Sequence, residues 1–146
     1  MKTIAVCASV DFYKHAVEME ADLVKLGFKV ILPSGAIKMR ESGDFDARAS
    51  KTWYDKPEDF QLKADFMRTH FKSIEESDLI LVINDEKHGV KGYVGPNVAM
   101  EMGLAFYLGK PIYVLNKVSS DMPTYEEVMG LGSIIIDGDL SKIGKD

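Results

Sequence analysis

Cysteine is almost missing from this chain of 146 residues, which holds only Cys7. A lone thiol excludes an internal disulfide framework and any multi-cysteine zinc or iron–sulfur site within the chain. Long apolar runs are missing too. No stretch approaches the ~18–20 residues that a membrane-spanning helix needs. The apolar opening Ile4-Ala5-Val6 is too short for a signal peptide and runs straight into a strand-like pattern. Proline is scarce, with five residues, and no Pro-, Gly- or Ser-rich linker divides the sequence. There is no surplus of positive charge: 18 Lys and Arg against 23 Asp and Glu leave −5. That balance argues against a nucleic acid polymer or an anionic membrane as the main partner. No G-x-G-x-x-G opens a helix after the first strand, and no G-x-x-x-x-G-K-[ST] occurs, so the common dinucleotide and P-loop fingerprints are excluded.

What is present fits one domain, residues 1–146, at the usual ~100–200 residues per domain. Apolar residues make up 46% and charged residues 28%, enough to bury a core without staples. A cytoplasmic protein is expected.

Hydrophobic patterning predicts alternating strands and helices. Ile4 to Ala8 is a continuous apolar run, suited to a strand buried on both faces. Asp11 to Leu26 has helical spacing through Ala16, Met19 and Leu23, with Gly27 as its stop. Phe28 to Leu32 is a second strand, ended by Pro33. Ser34 to Pro57 is irregular apart from a short helix over Ala36 to Glu41. A connection that long suits a lid, a binding loop or an oligomer contact. A helix is predicted from Pro57 to Glu76, a buried strand over Leu79 to Ile83, and a helix from Pro96 to Leu108. Ile112 to Leu115 and Ile134 to Ile136 are the last strands, with a short helix over Thr124 to Met129 between them. Repeated strand–helix units point to one doubly wound α/β sheet of about five mainly parallel strands, preferred order 2-1-3-4-5.

Ligands of such sheets bind beyond the carboxyl ends of the strands. That places Ser9 to Tyr13, Asn84 to Asn97 and Asn116 to Ser120 at the candidate site. Glu101 is the sharpest residue, an acid among apolar neighbours near a helix start. A rigid, dry carboxylate can serve as nucleophile or general base. The plainer alternative is a charge that complements the helix dipole. His15, His70 and His88 stand at no metal-ligand spacing from carboxylates, so neither a metal nor a cofactor is expected. Cys7 reads as a small core residue.

Three segments carry a resemblance. Ser77 to Asp85, then Gly95 to Ala105 with its Glu101-Met102-Gly103-Leu104-Ala105 element, then Leu108-Gly109-Lys110-Pro111-Ile112 resemble the nucleoside 2-deoxyribosyltransferase-like superfamily. The match runs from Ser77 to Asn116 and is looser over Met1 to Pro33. The resemblance implies a flavodoxin-like fold and a small-molecule partner, a nucleoside or nucleotide. It implies a Glu101 nucleophile that attacks the sugar's anomeric carbon, with Asp85 helping the leaving base accept a proton. Ser9, Asp11 and Tyr13 would contact the sugar, with Asn116 as a further contact. It also implies a homodimer or larger homo-oligomer, for which Trp53 and Tyr54 are candidate contacts. One position departs from the family pattern: Gly95 stands where members often carry an Asp or Ser that touches the deoxyribose, and Asn97 is the candidate replacement. That departure supports the alternative, a non-catalytic nucleotide-binding or sensing domain.

Overall fold

Alternation within the strands explains the layers. In the computed structural model, which describes residues 1–144, β1 (Thr3–Ala8) turns Ile4, Val6 and Ala8 to one face of the sheet and Ala5 and Cys7 to the other. β3 (Leu79–Ile83) does the same, with Leu79, Leu81 and Ile83 opposed to Ile80 and Val82. Both strands lie deep in the sheet and need apolar residues at every position.

The first face is covered by α1 (Tyr13–Lys25), whose buried stripe is Ala16, Met19 and Leu23. A short 3-10 turn, Val10–Phe12, replaces the first turn predicted for this helix. The second face is covered by α4 (Phe60–Glu75), α5 (Pro96–Tyr107) and α6 (Tyr125–Gly130), through Ile74, Met102, Ala105 and Val128 among others. The remaining strands are β2 (Lys29–Ile31), β4 (Ile112–Val114) and β5 (Ile134–Ile135). The sheet order is β2-β1-β3-β4-β5 and every pairing is parallel. This is the flavodoxin-like arrangement, in which the strand order reverses between β1 and β3.

The segment predicted as irregular is more regular than its sequence suggests. Pro33 ends the strand region and caps α2 (Ser34–Ser42), and Asp46 caps α3 (Ala47–Ser50) by accepting the Arg48 and Ala49 amides. A 3-10 turn at Thr52–Tyr54 follows. α2 contains the short helix expected over Ala36 to Glu41 and buries Ala36 and Met39, whereas α3 and the turn after it were not expected.

The motif Gly109-Lys110-Pro111 has a structural job. Gly109 adopts φ 70° just past the end of α5, the left-handed turn that favours glycine. Lys110 Nζ then donates to the Ile74 carbonyl at 2.9 Å and to those of Glu75 and Ser77. One ammonium thus caps the carboxyl end of α4 and ties it to the start of β4. No helix among the described residues is long and apolar enough to cross a membrane.

Candidate functional site

A cavity of about 500 Å³ opens where β1 ends, within the ~300–1,000 Å³ typical of small-molecule sites. Ala8 and Ser9 form its base, and Tyr13 of α1 flanks it. α2 and the following turns supply Met39, Lys51 and Trp53. α4 contributes Lys63, Phe66, Met67 and His70, which repeat at three- and four-residue steps and so share one helix face. The loop before α5 brings Tyr93, Gly95 and Asn97, and α5 itself brings Glu101.

Glu101 lies on the buried stripe of α5 with Val98, Met102 and Ala105, and is 3% exposed. Burial pushes its pKa up to about 8, against the pull of the Lys63 charge and the Cys7 thiol. Asn97 Nδ2 donates to Glu101 Oε2 at 3.4 Å, and Asn97 Oδ1 accepts from Lys63 Nζ at 3.2 Å. The Lys63 ammonium also lies 5.7 Å from the centre of the Trp53 ring. Burial and the neighbouring Lys51 lower the Lys63 pKa, and Glu101 opposes them.

Two further buried groups meet Glu101. His70 Nε2 is 3.9 Å from Glu101 Oε2 and 3.5 Å from Cys7 Sγ. Burial pushes the His70 ring down to about 4, although the Val6 backbone favours the charged form. His70 Nδ1 makes no hydrogen bond of normal geometry. Burial, then the Glu101 charge, raises the Cys7 thiol well above its ordinary range. At neutral pH the three groups are therefore mainly uncharged, and the His70–Glu101 approach is a contact rather than an ion pair. Burial, then Glu101 and Cys7, also keeps the Tyr13 hydroxyl protonated.

The structure gathers some of the expected site residues and not others. Ser9, Tyr13, Asn97 and Glu101 share the cavity. Asp85 does not line it; its carboxylate binds His15 Nδ1 at 2.7 Å. Asp11 also stands outside and pairs with Lys87 at 2.5 Å. Partial burial pushes the Asp11 carboxyl up, but the Lys87 bond and charge outweigh it and hold the group below its ordinary value. Asn116 is spent on structure: its N–H donates to Asn84 Oδ1 at 2.8 Å, and its carbonyl accepts from Asn84 Nδ2 at 2.9 Å. This clasp joins the ends of β3 and β4. Gly92 passes so close that an added Cβ would sit 2.1 Å from the Lys117 carbonyl oxygen, and its φ of 68° suits glycine alone.

Gly95 is tightly surrounded. A Cβ there would lie 3.3 Å from the Tyr93 ring and 3.4 Å from Ser9 Oγ. A side chain there would need the Tyr93 ring to give by a few tenths of an ångström and would stand in ordinary contact with Ser9. Trp53, a candidate subunit contact by sequence, is buried against its own cavity, whereas Tyr54 is 76% exposed.

No protein-family model matches this chain, and no curated protein sequence does. Among solved structures, it is similar to the flavoenzyme NAD(P)H:(acceptor) oxidoreductase FerB from Paracoccus denitrificans. That match has a TM-score of 0.46 and 17% identity, covering 94% of this chain and 76% of the other. A likeness this distant carries no argument about chemistry.

The cavity residues that sequence reasoning missed include Lys38 and Met39 of α2 and, on α4, Lys63, Phe66, Met67 and His70. The helical spacing of those on α4 marks a shared face, but nothing local says that the face meets Glu101.

Proposed function

We propose that the cavity binds a 2′-deoxynucleoside or its 5′-monophosphate and that Glu101 cleaves the N-glycosidic bond. The observation that carries this reading is a single buried carboxylate lining an aromatic cavity at the carboxyl end of a doubly wound sheet. Tyr13, Trp53, Phe66 and Tyr93 offer ring faces for a base. Lys38, Lys51, Lys63 and Lys87 line the same space and suit an anionic group such as a 5′-phosphate.

In the proposed step, ionised Glu101 attacks the anomeric carbon and the bond to the base nitrogen breaks. The base leaves with the bonding electron pair and takes up a proton. Water or a second base then attacks the same carbon and frees the carboxylate, the two-step route of a retaining glycosidase. Lys63 favours the ionised form of Glu101 that the attack requires. With Asp85 held by His15 outside the cavity, the Tyr13 hydroxyl, which lines it, gives the departing base its proton and regains one from the water or incoming base that attacks in the second step.

A second reading is non-catalytic nucleotide binding. It is favoured by Gly95, which leaves the usual acid or hydroxyl position without a side chain, and by the placement of Asp85.

The test is chromatographic. The protein and its Glu101→Ala variant are incubated with a panel of deoxynucleosides and their 5′-monophosphates, with and without a second free base. The expected result is base release or exchange that the variant loses by at least a hundredfold. Activity that survives in Glu101→Ala removes the nucleophile assignment. No turnover by the wild type, together with a nucleotide-induced rise in melting temperature, would replace catalysis by binding.

A further inference from the structure

We propose that Cys7, His70 and Glu101 form a binding site for one thiophilic divalent cation of the zinc class, bordering the cavity. The three residues come from β1, α4 and α5, all packed on the same face of the sheet. All three are buried, and one ligand atom from each lies within 4.8 Å of the other two. The measured approaches are 3.5 Å between Cys7 Sγ and His70 Nε2, and 3.9 Å between His70 Nε2 and Glu101 Oε2.

Zinc bonds of about 2.0–2.3 Å to nitrogen, oxygen and sulfur place tetrahedral ligand atoms roughly 3.3–3.7 Å apart. Seating an ion therefore needs the trio to tighten slightly, and Glu101, the longest of the three side chains, has the freedom to supply the movement. A thiolate, an imidazole and a carboxylate form a mixed soft and borderline donor set, which selects zinc-like ions over magnesium or calcium. One divalent charge balances one thiolate and one carboxylate, so the occupied site is neutral, as a dry interior requires. The Cys7 proton and, where Glu101 is still protonated, the Glu101 proton leave to solvent as the ion binds.

His70 and Glu101 line the cavity, so the fourth coordination position opens where a water or a ligand atom can enter. His70 Nδ1 makes no hydrogen bond of normal geometry, and with Nε2 on the ion it is the nitrogen that would bond the Val6 backbone and so orient the imidazole. The proposal stands on this geometry whatever the cavity binds. If Glu101 is the nucleophile proposed above, the cation and the substrate compete for it, and the ion inhibits.

The experiment uses the full chain without a histidine tag, stripped of metal by a chelator and titrated with Co²⁺ under anaerobic conditions. The expected spectrum has a thiolate-to-cobalt charge-transfer band and intense visible bands of four-coordinate cobalt, saturating at one equivalent and displaced by Zn²⁺. Cys7→Ser should abolish the charge-transfer band, and His70→Gln should weaken binding at least tenfold. His15→Asn, at a histidine outside the site, should change neither. Circular dichroism and melting curves check that each variant folds. If Cys7→Ser does not fold, His70→Gln and the wild-type band decide the matter. Absence of the charge-transfer band in the wild type, or its persistence in folded Cys7→Ser, overturns the site. Cobalt binding reads the site even in a protein without glycosidic activity, so the two readings fail separately.

Discussion

At the scale of single residues, Glu101 sets the energetics of the cavity. Its carboxyl faces Lys63, Cys7, His70 and Tyr13, and burial outweighs the one favourable charge. The folded-state pKa near 8 lies above the ordinary value of 4.5. Between those two values the unfolded chain gives up this proton while the folded chain keeps it. Stability therefore falls as pH rises through that window, and the loss is absent below the lower value. Glu101→Gln removes the titration and keeps the shape. In metal-free protein it should be more stable than wild type at pH 8 by about 2–4 kcal/mol, with the gap closing near pH 4. Urea unfolding at the two pH values checks this, and an equal gap at both would refute it. His70 titrates in the opposite sense: its depressed pKa erodes stability below the ordinary histidine range.

At the scale of elements, side chains reach across to finish what the backbone leaves open. Lys110 satisfies carbonyls at the end of α4, and the Asn84–Asn116 clasp closes the ends of β3 and β4. The Lys110 contacts give the Gly109-Lys110-Pro111 element a packing role. Lys110→Met keeps the aliphatic stem and removes the charge. It should destabilise the fold by about 1–2 kcal/mol, read as a lower urea midpoint with an unchanged slope. An unchanged midpoint would show that the cap is energetically idle. The main elements were legible in the sequence because β1 and β3 are short continuous apolar runs and α1 and α4 carry a clear helical period. α2 was legible as a short helix over Ala36 to Glu41, whereas α3 was not, because it is four residues long and buries nothing.

At the scale of the whole molecule, the stretch from Ser34 to Tyr54 roofs a cavity whose base is the sheet. Its exposed residues include Lys38, Arg40 and Arg48, and Lys51 is half-buried. Limited trypsin digestion should cut first in this region, which has few buried contacts to hold it closed. A saturating 2′-deoxynucleoside 5′-monophosphate should slow those cuts severalfold, since the occupant would engage Lys51 and Trp53. Equal rates with and without the nucleotide would separate this segment from binding. Mass spectrometry of the early fragments identifies the cut sites.

The alternation of strands and helices and the doubly wound class are written in apolar runs and helical spacing, and Glu101 stands out as an acid among apolar neighbours; all of these depend only on residues a few positions apart. Which side chains share the cavity depends on how distant segments pack. Asp85 and Asn116 stand at strand ends, as expected of ligand contacts, yet pairing with His15 and Asn84 takes both away from it. Cys7, His70 and Glu101 are separated by 63 and 31 positions, and no local spacing links them. They meet because β1, α4 and α5 pack on one face of the sheet, and that packing is a property of the whole chain.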